Sequence, residues 1–201
     1  LASYLMADVP FTIADERFSA VGGVRMENAT QNIQTTQSFS STEPVMIQLK
    51  KADVIPSLNL TYLFNEVTNL RLAYSQSVNR PEFRELSSVL FYDFDAYENV
   101  VGNPALQRAL ARNYDVRFEM FPQPGEVMAV SYFQKRISSP IEQQLSYNGA
   151  PFRTWFNSDE GVNFGWEFEV RKSLDFLGGY FKNFLVNVNY TRIQSKVEFN
   201  E

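Results

Sequence analysis

Residues Tyr74–Pro122 read YSQSVNRPEFRELSSVLFYDFDAYENVVGNPALQRALARNYDVRFEMFP, and this stretch decides the fold. It is entered through the run Leu70-Arg-Leu-Ala-Tyr-Ser-Gln-Ser, where Leu70, Leu72 and Tyr74 share one face and Arg71, Ala73, Ser75 and Ser77 the other. Successive side chains of a pleated strand point to opposite sides, so this alternation predicts a strand. The run breaks at Asn79-Arg80-Pro81, crosses the aromatic and acidic segment Phe91-Tyr-Asp-Phe-Asp-Ala-Tyr-Glu, and turns back at Gly102-Asn103-Pro104. A second alternating run then sets Tyr114, Val116, Phe118 and Met120 against Asn113, Asp115, Arg117 and Glu119. The unit is two long strands, each with an apolar and a charged face, joined by a long decorated loop.

The rest of the chain repeats the pattern, in an antiparallel meander of about eight long strands. Leu1–Phe11 is strand-like, Thr12–Arg17 a polar turn, and Phe18–Thr30 a second strand with Arg25 and Glu27 on one face. Gln31–Pro44 is a polar connection or strand extension. Val45–Phe64 alternates Leu58, Leu60, Tyr62 and Phe64 against Ser57, Asn59, Thr61 and Leu63; Pro56, with no N–H, predicts a bulge or an unpaired site there. Asn65-Glu66-Val67 is a tight turn into the strand before the long loop. Pro122-Gln-Pro-Gly125 is a turn, followed by Val127–Ser138 with Met128, Val130 and Tyr132 on one face. Ser139-Pro140 interrupts, and Tyr147–Pro151 turns again. Phe152–Leu174 reads as one strand, with Phe164, Trp166, Phe168 and Val170 against Gly165, Glu167, Glu169 and Arg171. After Gly178-Gly179, Phe184, Val186, Val188 and Tyr190 alternate with Asn187 and Asn189. Pro104–Arg112 is the one helix candidate.

Composition narrows the function. The chain of 201 residues has no Cys and no His, and a formal charge of −5. Without Cys there are no disulfides or thiolate metal sites, and without His the commonest general base and the usual zinc ligand are missing. An acidic balance argues against nucleic acid, whose phosphates need clustered Lys and Arg. Mean hydropathy is −0.27, and no run approaches the ~20 apolar residues of a helical span. Alternating strands average out in such a measure, so a membrane barrel stays open. No phosphate loop, GxGxxG or GxSxG is present. Enzyme is the least supported class, and no cofactor is expected.

The alternation alone fits either a soluble sheet with one wet face or a barrel with one lipid face. Two features favour lipid. Connections after strands one, three, five and seven are short, while those after two and four are long, the asymmetry of outer-membrane barrels. The short-turn ends collect Phe11, Phe18, Phe64, Phe121, Phe176, Tyr180 and Phe181, as an interfacial girdle would. Arg25, Glu27, Arg71, Arg117, Glu119, Glu167, Glu169 and Arg171 would then line one lumen, with Arg171 the simplest partner for the Glu167–Glu169 pair. The alternative is a soluble or surface-exposed all-β ligand- or carbohydrate-binding module.

The segments SQSVNRPEFREL, GNPALQ and NYDVRFEMFPQPGE resemble the barrel of TonB-dependent outer-membrane receptors, particularly those of Bacteroidetes-like bacteria. FQKRISSPIEQ, GWEFEVRKSL and VNYTRIQSKV, with the earlier GGVRMEN and VIPSLNLTYLFN, fit the same barrel in the same order. The resemblance implies an all-β chain forming part of a transmembrane β-barrel in a Gram-negative outer membrane. It implies a receptor that binds an extracellular ligand and imports it with TonB-delivered energy. Residues 1–201 would be a partial barrel domain, lacking the plug, the remaining strands of a 22-stranded wall and the N-terminal regions that meet the TonB complex. Its other partner would be outer-membrane lipid.

Recognition is expected on loops, which a rigid scaffold holds out. The candidate ligand-binding residues are Phe91, Tyr92, Asp93, Phe94, Asp95 and Tyr97, with Arg153 and Trp155 (beside Phe156) at the same rim. The competing reading is that these aromatics pack the loop down. Asp93, Asp95 and Glu98 could form half a calcium site, though a solvated acidic loop is the better account and no metal is expected. No catalytic residue is assigned.

Overall fold

The computed structural model describes residues 1–36 and 44–198. In chain order its elements are β1 (Ala2–Ile13), β2 (Glu16–Thr36), β3 (Pro44–Leu63), β4 (Thr68–Asn79), the single helical turn α1 (Phe83–Leu86), β5 (Leu90–Asp93) and β6 (Glu98–Val101). They continue as β7 (Ala109–Met120), β8 (Val127–Ser138), β9 (Ile141–Asn148), β10 (Ala150–Asn157), β11 (Glu160–Ser173) and β12 (Leu185–Glu198). One antiparallel sheet of eight strands runs β1-β2-β3-β4-β7-β8-β11-β12, and a second sheet of four runs β5-β6-β10-β9.

The register aligns the apolar faces. Cross-strand partners share a face, and one such row passes through Phe11, Phe18, Tyr62, Leu70, Phe118, Val130, Phe168 and Tyr190. A parallel row on the opposite face holds Ser19, Thr61, Arg71, Arg117, Ser131, Glu167 and Thr191. Among the described residues nothing covers the apolar face: Leu58, Trp166, Phe168, Val188 and Tyr190 are all 46% or more exposed. A soluble sandwich would need a second sheet there. The four-stranded sheet instead extends beyond the strand ends, so the soluble alternative has no core on this face.

The edge of the apolar band slants across the sheet. Counting from the aligned row, the first outward polar residue is Asn28 on β2, Gln76 on β4, Arg112 on β7, Gln134 on β8 and Arg192 on β12. The edge thus falls by about eight residues over six strand-to-strand steps, roughly 1.3 per step. Strands about 4.8 Å apart and tilted about 40° to a flat boundary would need about 1.2 residues per step. A planar bilayer cutting tilted strands produces this slope. Three strands depart from it: β1, where Ser3 is the first outward polar residue, β3, where it is Lys50, and β11, with Phe164 and Val162 still outward.

The hairpins turn at one end through residues 14–15, 64–67, 121–126 and 174–184. Ala14 and Asp15 both have positive φ (50° and 67°), the conformation a two-residue hairpin turn requires. Rings stack across this end: Phe11–Phe18 at 5.4 Å, Phe18–Tyr62 at 4.9 Å, Tyr62–Phe64 at 4.3 Å and Phe64–Phe118 at 6.2 Å. The other end carries residues 80–108 and 139–159.

Two sequence expectations are corrected, and a third is met in part. Pro104–Arg112 is not helical: Ala109–Met120 pairs with β4 and β8, and among the described residues the one α-helical turn is Phe83–Leu86, closed by a reciprocal cap between Glu82 and Glu85, with two 3-10 turns at Asp175–Leu177 and Gly179–Asn183. Phe152–Leu174 is two strands in two sheets. The break is stabilised where Ser139 donates to the Asp159 carbonyl (3.1 Å) and Ser158 to the Pro140 carbonyl (3.0 Å). Pro56 makes no bulge against β2, where the register runs straight through Val24↔Pro56, but the ladder to β4 stops one residue away at Ser57↔Ser75.

Val188 faces outward in the middle of the β12 band and Asn187 faces inward. In the intact membrane protein, Val188→Arg is expected to cost about 2–4 kcal/mol, and Asn187→Arg far less. A refolding titration into bilayers compares the two, and equal losses would contradict the assigned facing.

Candidate ligand-binding surface

The four-stranded sheet and α1 build a small body at the loop end of the wall. Its core is Leu86, Val100, Leu106 and Trp155, all 8% exposed or less, with Phe91, Ile141, Ile33 and Leu49 packed against it. Ile33 and Leu49 lie on the same face of the tall β2–β3 hairpin as Arg25 and Glu27. The body therefore leans over the polar side of the wall, as a roof over that face.

Backbone chemistry makes the roof rigid. Gly102 donates to the Ser87 carbonyl (2.9 Å) and Asn103 to that of Glu85 (2.6 Å). A Cβ on Gly102 would collide with the carbonyls of Arg84, Glu85 and Ser87, so only glycine lets the chain pass beneath α1. The Asn103 amide reaches the Trp155 carbonyl (2.9 Å), and Asn157 exchanges two bonds with Gln107, accepting from its N–H (2.7 Å) and donating to its carbonyl (3.0 Å). These contacts lock the Gly102-Asn103-Pro104 turn to the β9–β10 hairpin.

The sequence-predicted residues divide. Trp155 is 8% exposed and belongs to the core, and Phe91 packs on that core under the Arg84 guanidinium (3.9 Å to the ring). For these two the packing account holds. Arg153 pairs with Glu98 (2.6 Å) and donates to Gln143 (3.0 Å). Asp93 accepts from the N–H groups of Asp95 and Ala96 (3.0 and 3.2 Å), a turn-forming role. Among the described residues no group of three or more acidic side chains is placed to hold a metal. Phe94 and Tyr97 are 78% and 81% exposed, and Tyr92 meets Phe94 edge-on at 5.1 Å. Tyr147 and Leu145, at the β9–β10 tip, are similarly open and were not singled out from sequence.

Two charge networks lie on the polar face. Glu119, 3% exposed, binds Arg71 and Arg117 (both 2.8 Å), and Arg117 continues to Glu169 (2.7 Å). The partner of Glu169 is therefore Arg117 across the sheet and not Arg171 along the strand. Nearer the roof, Arg25 binds Glu27 (2.6 Å), Glu27 binds Arg80 (3.0 Å), and Asp53 binds both Arg80 (2.8 Å) and Arg108 (2.5 Å). Asp53 and its two arginines were missed from sequence because they are distant in the chain and carry no spacing signal.

A tilted antiparallel wall with a bare apolar face, an aromatic girdle at the short turns and charges on the opposite face defines an outer-membrane β-barrel. Residues 1–200 match the family model "TonB dependent receptor-like, beta-barrel", and the chain belongs to that family. No curated protein sequence matches it. Among solved structures, the hemophore receptor HasR of Serratia marcescens is similar with a TM-score of 0.69 at 14% identity, covering 96% of this chain and 34% of that one. The siderophore receptor PirA of Pseudomonas aeruginosa has a TM-score of 0.59 at 15% identity, covering 96% and 40%. The FrpB iron transporter of Neisseria meningitidis has a TM-score of 0.59 at 12% identity, covering 98% and 26%. The chain thus spans well under half the length of these proteins, and at such identities the likeness shows the fold alone.

Trp155→Ala is expected to cost the roof about 3–5 kcal/mol, whereas Phe94→Ala should stay within about 0.5 kcal/mol. Amide exchange at residues 99–106 in the intact protein measures the difference.

Proposed function

We propose that this chain is part of the wall of an outer-membrane receptor that binds an extracellular ligand and imports it with energy delivered through TonB. The observation that carries the reading is the uncovered apolar row across eight strands, backed by paired charges on the other face. An open sheet cannot sit in lipid, because each unpaired backbone group would cost several kcal/mol. On this reading, strands outside these residues close the wall, a plug fills the lumen and the TonB complex engages regions beyond this chain. The protein resides in the outer membrane of a Gram-negative bacterium, and it is a transporter, not an enzyme.

The exposed tip residues Tyr92, Phe94 and Tyr97, with Asp95 beside them, form the outermost ligand contacts in this proposal. Asp93, Arg153, Phe91 and Trp155 act behind them by holding the tip. The similar structures include a receptor in complex with a hemophore and heme and a siderophore receptor, which supports an extracellular ligand as the cargo class.

Replacing Tyr92, Phe94 and Tyr97 by Ala together should weaken ligand binding by the intact receptor about tenfold or more, given about 1.4 kcal/mol per tenfold. The barrel should remain heat-modifiable in the outer membrane. Uptake and binding measured on the same cells check this, and unchanged uptake would return the tip to a packing role.

A further inference from the structure

We propose that Asp53 is a positioning residue that latches the roof over the lumen by gripping the two feet of its 80–108 segment; the β9–β10 hairpin supplies two more, at residues 139 and 159. The roof leaves the wall at Arg80, one residue beyond β4, and re-enters it at Arg108, one residue before β7. Both guanidiniums converge on the carboxylate of Asp53, at 2.8 and 2.5 Å, from residues 28 apart in the chain. The side chain of Asp53 is 1% exposed and stands on the polar face of β3, opposite Glu27 of β2. Glu27 takes the other arm of Arg80 at 3.0 Å, so the latch ties the feet to two wall strands.

The roof's own contacts do not do this work. Its hydrogen bonds from Gly102, Asn103, Gln107 and Asn157 run within the body; toward the β2–β3 hairpin it has one bond, from the Gln31 amide to the Pro81 carbonyl (2.9 Å), and apolar contact at Ile33 and Leu49, both only partly buried. When the clasp opens, the feet at residues 80 and 108 are released while those at 139 and 159 stay bonded to each other and to β12, so the roof lifts about that second pair. The inference deepens the receptor reading, since a roof held over the polar face sets what reaches the lumen.

The test uses the intact receptor in outer membranes. Trypsin reports the feet: the Arg80–Pro81 bond resists cleavage, so the informative cut is Arg108–Ala109, read by mass. Asp53→Asn is expected to raise the rate of that cut at least about tenfold, because cleavage follows the population of the opened form. Asp53→Glu should restore most of the protection. Amide exchange at residues 99–106 should stay as slow as in the wild type in both variants, since the roof core stays intact, and the barrel should keep its faster gel migration before boiling. An unchanged cleavage rate would overturn the proposal. So would a faster cut accompanied by faster amide exchange at residues 99–106, which would make Asp53 a support of the roof's fold and not of its seat. A wild-type protein without heat-modifiability would strike the receptor reading separately.

Discussion

Hydrocarbon offers no hydrogen bonds, so a chain crossing it in strands must satisfy every backbone group from a neighbouring strand and turn one whole face to lipid. The eight-stranded sheet meets both demands through its register. A shift of one residue in any pair would send that strand's charges to the outside. The row from Phe11 to Tyr190 shows that no such slip occurs across seven consecutive ladders. The slanted edge of the apolar band then follows from strand tilt, without any further device.

That constraint leaves the wall without a hydrophobic core of its own. The buried apolar cluster of this chain lies in the roof, where α1, β6, β10 and the turn after Gly102 meet. Wall and roof are stabilised by different physics. Lipid and ladder hydrogen bonds hold the first, while close packing around Trp155 and a set of amide bonds hold the second. Where the two meet, backbone bonds hold the feet at residues 139 and 159, and at residues 80 and 108 charge is added through Asp53, Arg80 and Arg108.

The charges of the polar face are largely spent on one another. Glu119 between Arg71 and Arg117 is a buried carboxylate with two cationic donors, an arrangement that offsets desolvation by pairing. A lumen lined by such networks is wet and polar but stiff, and its residues support the wall more than they offer open contacts to cargo. Open contacts are instead at the loop tips, where Phe94 and Tyr97 stand free of the core.

Strand number, facing, the girdle and the long loop were legible in the sequence, because period-two alternation is local and needs no knowledge of partners. The chain of alternation also marked Arg71, Arg117, Glu119 and Glu169 as inward. What it could not convey was which carboxylate meets which arginine. Glu169 lies two residues from Arg171 in the chain but bonds Arg117 two strands away, because the long arginine side chain reaches over β8, where the intervening residues are the small Ser131 and Ala129. The role of Trp155 was hidden for a similar reason: an aromatic beside an arginine reads alike whether it packs or recognises, and only its burial against Leu86, Val100 and Leu106 decides. The break at Ser158 and the grip of Asp53 on residues 80 and 108 likewise exist only once distant segments are brought together. Local pattern determined the wall; long-range pairing decided the roof and how it is held.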